Sequence, residues 1–135
     1  MGQQQLLLLV LAAIIVGVGV LLGVTMFQEN AAQNNMDAVT QDCLTLAAKA
    51  QAWYRRPAVM GGGGQDYTSF SWGDINLSPD AGPYVNDNGN YAISGASGAT
   101  CTILGTGKAS LDGDATPLSV TVTITGNNIG VVQAD

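Results

Sequence analysis

Apolar residues follow three patterns along this chain, and each pattern predicts a different element. Residues 6–27 form an almost unbroken apolar run of about 22 residues, long enough to cross a bilayer as a helix. From Gln28-Glu29-Asn30 onward the chain turns polar, but no Gly or Pro interrupts it before Pro57, so the helix is predicted to continue to about Arg56. Such a helix is roughly 75 Å long at 1.5 Å per residue. In its second half, Ala32, Met36, Val39, Cys43, Leu46, Ala50 and Trp53 recur at alternating spacings of four and three, with Ala47 and Tyr54 beside them. That stripe demands an apolar surface to lie on. The opposite face mixes Ala38, Leu44, Ala48 and Ala52 with Asp37, Gln41, Thr45 and Arg55. Small apolar residues there suit contact with other copies of the helix, and they also suit plain helix formation.

Residues 57–90 read as a connecting loop. Gly61, Gly62, Gly63 and Gly64 look like a flexible hinge, Pro79 and Pro83 break regular structure, and Asn86-Asp87-Asn88-Gly89-Asn90 is a turn cluster. Tyr67, Phe70, Trp72 and Tyr84 are expected to pin the loop to the domain. After it the period changes to two. Strands are predicted over 91–94, 99–104, 118–125 and 129–133, with Gly126-Asn127-Asn128 turning the last pair into a hairpin. Val120, Val122 and Ile124 alternate with Thr121, Thr123 and Thr125, which gives the sheet one face for the helix and one for water. The expected class is α+β, a long N-terminal helix packed on a small antiparallel sheet. The expected divisions are an apolar helix over 1–27, its amphipathic continuation over 28–56, a loop over 57–90 and the sheet over 91–135.

Composition narrows the function. With 135 residues and most of the first 56 in one helix, the rest makes one small domain. A net charge of -6 with only four basic residues argues against nucleic acid as the main partner, because phosphate contacts need clustered Lys and Arg. The chain has no His and two cysteines, so common zinc sets and Cys/His or Ser/His/Asp catalysis are excluded, and no enzyme, metal or cofactor is expected. In an exported chain, Cys43 and Cys101 are expected to form one disulfide, worth roughly 4 kcal/mol in the chain-entropy model, rather than remain two free buried thiols. Asp112-Gly113-Asp114, with Asp80 and Asp87, offers a start to a calcium site. Calcium wants about six to eight oxygens, however, and ordinary turn chemistry accounts for these residues. Asn76-Leu77-Ser78 fits a glycosylation pattern weakened by the following Pro79.

The N-terminal run has its own peculiarity. The first basic residue is Lys49, so the apolar segment lacks the flanking charge that holds one end of a membrane span in the cytoplasm. A basic leader cut just before Met1 would explain this. Gly17, Gly19 and Gly23 weaken the helix by roughly 1 kcal/mol each relative to Ala. They mark where it is expected to loosen, or where small residues let helices pack closely.

The opening Met1-Gly2-Gln3-Gln4-Gln5-Leu6-Leu7-Leu8-Leu9-Val10, the long helix, the loop and the small sheet together resemble the type IV pilin and pseudopilin family along the whole chain. The resemblance implies a leader removed by a prepilin peptidase and a methylated Met1. It also places Gln5 where the family usually has a glutamate that registers a subunit against the amine of its neighbour. Gln5 keeps the acceptor without the charge, and a charge-assisted bond is roughly twice as strong as a neutral one. The resemblance further implies a structural subunit that waits in the inner membrane and is stacked by an assembly machinery into a homo-oligomeric extracellular filament. Adhesion, motility or DNA uptake are the uses of such a filament. A pseudopilin of a type II secretion system and a simple bitopic protein with an exported domain are the alternatives.

Overall fold

The computed structural model describes residues 2–77, 82–110 and 115–134. One helix, α1 (Gly2–Arg55), is followed by short 3-10 turns at Ala58–Met60 and Trp72–Ile75. The strands are β1 (Tyr84–Val85), β2 (Gly89–Ser97), β3 (Thr100–Gly107), β4 (Ser119–Thr125) and β5 (Asn128–Ala134). They form one sheet in sequence order, antiparallel at every pairing. The class is α+β, with the second half of α1 laid across the sheet.

The stripe on α1 is the seam. Ala32, Met36, Val39, Cys43, Leu46, Ala47, Ala50 and Trp53 are its buried residues. They meet Cys101 and Ile103 of β3 and Val120, Val122 and Ile124 of β4, all fully buried, while Thr121 and Thr123 point away and remain half-exposed. Burying a Val or Ile side chain stabilises by roughly 1.5–3 kcal/mol, so this double row is the main source of stability in the head. Helix and sheet approach closely at Gly105. A Cβ there would stand 2.5 Å from Cys43 Sγ and 2.9 Å from Val39 Cγ1.

That contact also overturns the disulfide. Cys43 and Cys101 are both buried and both free. Cys43 faces Gly105, and Cys101 lies four residues away on the same strand, roughly 13 Å at about 3.3 Å per residue. A disulfide needs Cα atoms within about 7 Å. The two cysteines share a face but sit at different heights along it.

The glycine run is not a hinge. Its amides fold back over the end of α1: Gly63 N–H donates to the Trp53 carbonyl at 3.0 Å, Gly64 N–H to Arg56 at 2.9 Å, and Gln65 N–H to Tyr54 at 2.8 Å. These are carbonyls that a helix C-terminus otherwise leaves open. Side chains have no room at the middle two positions of this cap. A Cβ on Gly62 would overlap the Arg56 carbonyl, and one on Gly63 would stand 2.5 Å from the Trp53 ring. Gly61 and Gly64 also take left-handed backbone, with φ of 76° and 59°.

The loop is pinned as its aromatics suggest, with Tyr67, Phe70 and Trp72 buried. Tyr54 stacks on Tyr67 at 4.4 Å between ring centroids, and Phe70 bridges Trp53 at 5.2 Å and Trp72 at 5.9 Å. The sheet is larger than expected. Tyr84 and Val85 pair with Tyr91 and Asn90, inside the stretch read as loop. β2 starts at Gly89 and, past an irregularity between Ile93 and Gly95, runs on to Ser97.

Candidate functional site

The surface that distinguishes this molecule is the free half of α1. Its most apolar stretch has a mean hydropathy of 3.1 and none of it is buried. Leu7 and Leu21 are each 70% exposed and Phe27 is 76% exposed, values at which these side chains touch nothing but their own helix. A contiguous apolar surface on this scale marks a place for lipid or for protein, since folded soluble chains rarely leave one open. By length and composition this helix can cross a membrane.

The backbone and side chains of this half suit an apolar solvent. Helical hydrogen bonding runs unbroken through it. Thr25, its one polar side chain between Leu6 and Phe27, donates its hydroxyl to the Leu21 carbonyl at 2.9 Å, so no polar group is left open there. Gly17, Gly19 and Gly23 are all helical, and the Cβ position at each is in open space. The isolated chain therefore shows no loosening at these glycines. Gly19 and Gly23, four apart, lie on one face. Gln5 is exposed on the first turns of α1, where no acidic residue occupies the first turn. Met1 lies outside the described residues, as do Ser78, Pro79, Asp80, Asp112, Gly113 and Asp114. Among the described residues, no three His, Cys, Asp or Glu side chains converge to hold a metal.

A second feature, which the sequence reading missed, joins the helix to the head. The Asp42 Oδ2 accepts three hydrogen bonds, from Asn86 Nδ2 at 2.9 Å, Asn88 Nδ2 at 2.8 Å and Tyr91 Oη at 2.7 Å. Two turns earlier on the same side of α1, Asn35 donates through Nδ2 to the Asn88 carbonyl at 2.9 Å. Its Oδ1 accepts from the amides of Lys108 and Ala109. Burial alone would raise the Asp42 carboxyl, but the bonds from Asn88, Tyr91 and Asn86 outweigh it and hold the group below the ordinary Asp value. The signal was available: Asn35 and Asp42, seven apart, flank the apolar stripe on one edge, opposite an Asn-rich turn.

The thiols are inert by environment. Burial, with the nearby Asp42 charge adding to it, pushes Cys43 up to about 12, and burial pushes Cys101 up to about 11. Neither is a thiolate near neutral pH.

No family model, curated protein or solved structure matches this chain. What the fold and surface define is a class: a long N-terminal apolar helix whose distal half carries a five-stranded antiparallel sheet. That arrangement is compatible with a pilin-like fold and with a membrane-anchored helix.

Proposed function

We propose that the chain is a structural subunit of a type IV pilus-like filament, held in a membrane by the free half of α1 until assembly. The observation that carries this reading is that one helix is buried on the sheet over its second half and wholly uncovered and apolar over its first. Lipid covers the apolar half in the pool, and equivalent segments of other copies cover it in the fibre. Assembly then exchanges lipid contacts for protein contacts with little net desolvation, and the driving force is close packing. Repeated contacts of the same unlike surfaces generate an open helix of subunits. Gln5 serves in registration as a neutral acceptor, the glycines at 17, 19 and 23 give way during packing, and processing falls to a prepilin peptidase. The role is structural rather than enzymatic, in keeping with two buried, fully protonated thiols.

Shearing source cells and imaging the released material tests this directly. The expected result is filaments that contain this chain by mass spectrometry and that vanish when its gene is deleted. A chain that stays in the inner membrane, with no filament and normal secretion after deletion, overturns the proposal in favour of a bitopic protein. Loss of secretion without surface filaments supports the pseudopilin alternative instead.

A further inference from the structure

The turn between β1 and β2 contains the one Asn-Gly pair of the chain, Asn88-Gly89. Two separate demands of the fold create it. A Cβ on residue 89 would overlap the Thr106 carbonyl of β3, so the sheet requires glycine there. Residue 88 must supply a side-chain donor to Asp42 and a carbonyl to Asn35, which Asn does. The combination is chemically exposed. With no side chain on the following residue, a backbone nitrogen has the least hindered approach to an Asn side-chain carbonyl carbon.

We propose that Asn88 is a deamidation site guarded by the Asp42–Asn35 clasp, and that its reaction opens the clasp irreversibly. The step is attack of the Gly89 nitrogen on Asn88 Cγ. The N–Cγ bond forms, the Cγ–Nδ2 bond breaks, and ammonia leaves with the proton from the Gly89 amide. Water then opens the resulting succinimide at either carbonyl, giving aspartate or isoaspartate at 88. In the closed turn both partners are restrained. Asn88 Nδ2 is bound to Asp42, and the amides of Asn88 and Gly89 both donate to Asn86 Oδ1, at 2.9 Å and 3.0 Å. Gly89 is also held in the sheet opposite Gly107. The attack geometry is reached only when the turn lets go, so the rate follows the open population.

The product cannot re-form the contact. A carboxylate at 88 replaces a donor with an acceptor and sets a second negative charge against Asp42 Oδ2, and like charges at hydrogen-bond distance disfavour one another. The turn is then released from α1, while the seam of β3 and β4 on the helix stays intact. This inference does not depend on the filament reading.

The full-length chain in detergent micelles, incubated at mildly alkaline pH and assayed by peptide mapping with isoaspartate labelling, tests it. Wild type is expected to convert slowly. Asp42→Ala and Asn35→Ala, checked as folded by near-UV circular dichroism, should convert roughly tenfold or more faster, as should wild type in denaturant. If Asp42→Ala does not fold, Asn35→Ala decides. Separately, Asn88→Asp should raise amide exchange at residues 86–89 by roughly tenfold without changing exchange in β3 and β4. Wild type converting as fast as the denatured chain, or Asn88→Asp leaving exchange at the turn unchanged, overturns the proposal.

Discussion

Residues 2–31 and residues 32–55 are successive stretches of one helix, yet they solve opposite problems. The first carries the run at 6–27, apolar all round between polar ends, and none of it is buried. The second gathers most of its large apolar residues into a stripe buried against β3 and β4, with a mixed face of small apolar and polar residues behind it. A helix hydrophobic on every side has no preferred orientation toward a partner, so lipid and neighbouring helices suit it equally. A striped helix is committed to one surface. The folding of the head is therefore a matter for the second half alone, and the solvent of the first half can change without disturbing it.

The sharpest way to break this division is to place a charge in one half and a cavity in the other. Val16→Lys puts an ammonium near the middle of the apolar half, at about 3 kcal/mol for a mid-membrane Lys, so retention by liposomes in a flotation assay should fall by roughly a hundredfold. Urea unfolding of the head should be unchanged. Ile103→Ala should do the reverse, lowering head stability by ~2–5 kcal/mol while membrane retention is kept. If Val16→Lys also melts the head, the two halves are not independent. A smaller effect probes the seam itself. Gly105→Ala drives a methyl group into Cys43 Sγ and Val39 Cγ1, and should cost about 1–3 kcal/mol in urea unfolding. Combining it with Cys43→Ala should recover part of the loss, a coupling absent if the two do not touch.

The mildest change belongs to the free half. Replacing Gly17, Gly19 and Gly23 with Ala meets open space at each position. It should strengthen the helix by up to ~3 kcal/mol in propensity and leave head stability unaltered. Filament yield from cells carrying the triple variant should fall, and normal fibres would show that the helix need not yield there.

The parts of this fold legible in the sequence are those fixed by a period. Spacings of three and four from Ala32 to Trp53 identify the buried face, and the alternation of Val120, Val122 and Ile124 identifies the matching one, because each period follows from local geometry. What the sequence did not yield was height along the seam. Cys43 and Cys101 both point inward, but nothing local states which strand residue lies opposite which helical turn. The glycine cap was hidden for a different reason. Four residues without side chains look like slack, and only the carbonyls of Trp53, Tyr54 and Arg56 waiting above them turn slack into a lid. β1 is two residues long and has no period to read. Asn35 and Asp42 carried a weaker signal, a pair of polar residues at one edge of a stripe, whose partners are set by tertiary contact.

That lid gives the molecule a mechanical polarity. A helix under tension frays first where its terminal hydrogen-bonding groups are open. At the distal end of α1 those groups are occupied by the amides of Gly63, Gly64 and Gln65, and the last turn is wedged in place by Trp53 against Phe70. A pull along the axis from the apolar half therefore loads the stripe and the aromatic wedge side by side, in shear against the sheet, instead of peeling the helix from its tip. The molecule resists extension as a plate glued to a rod along its length.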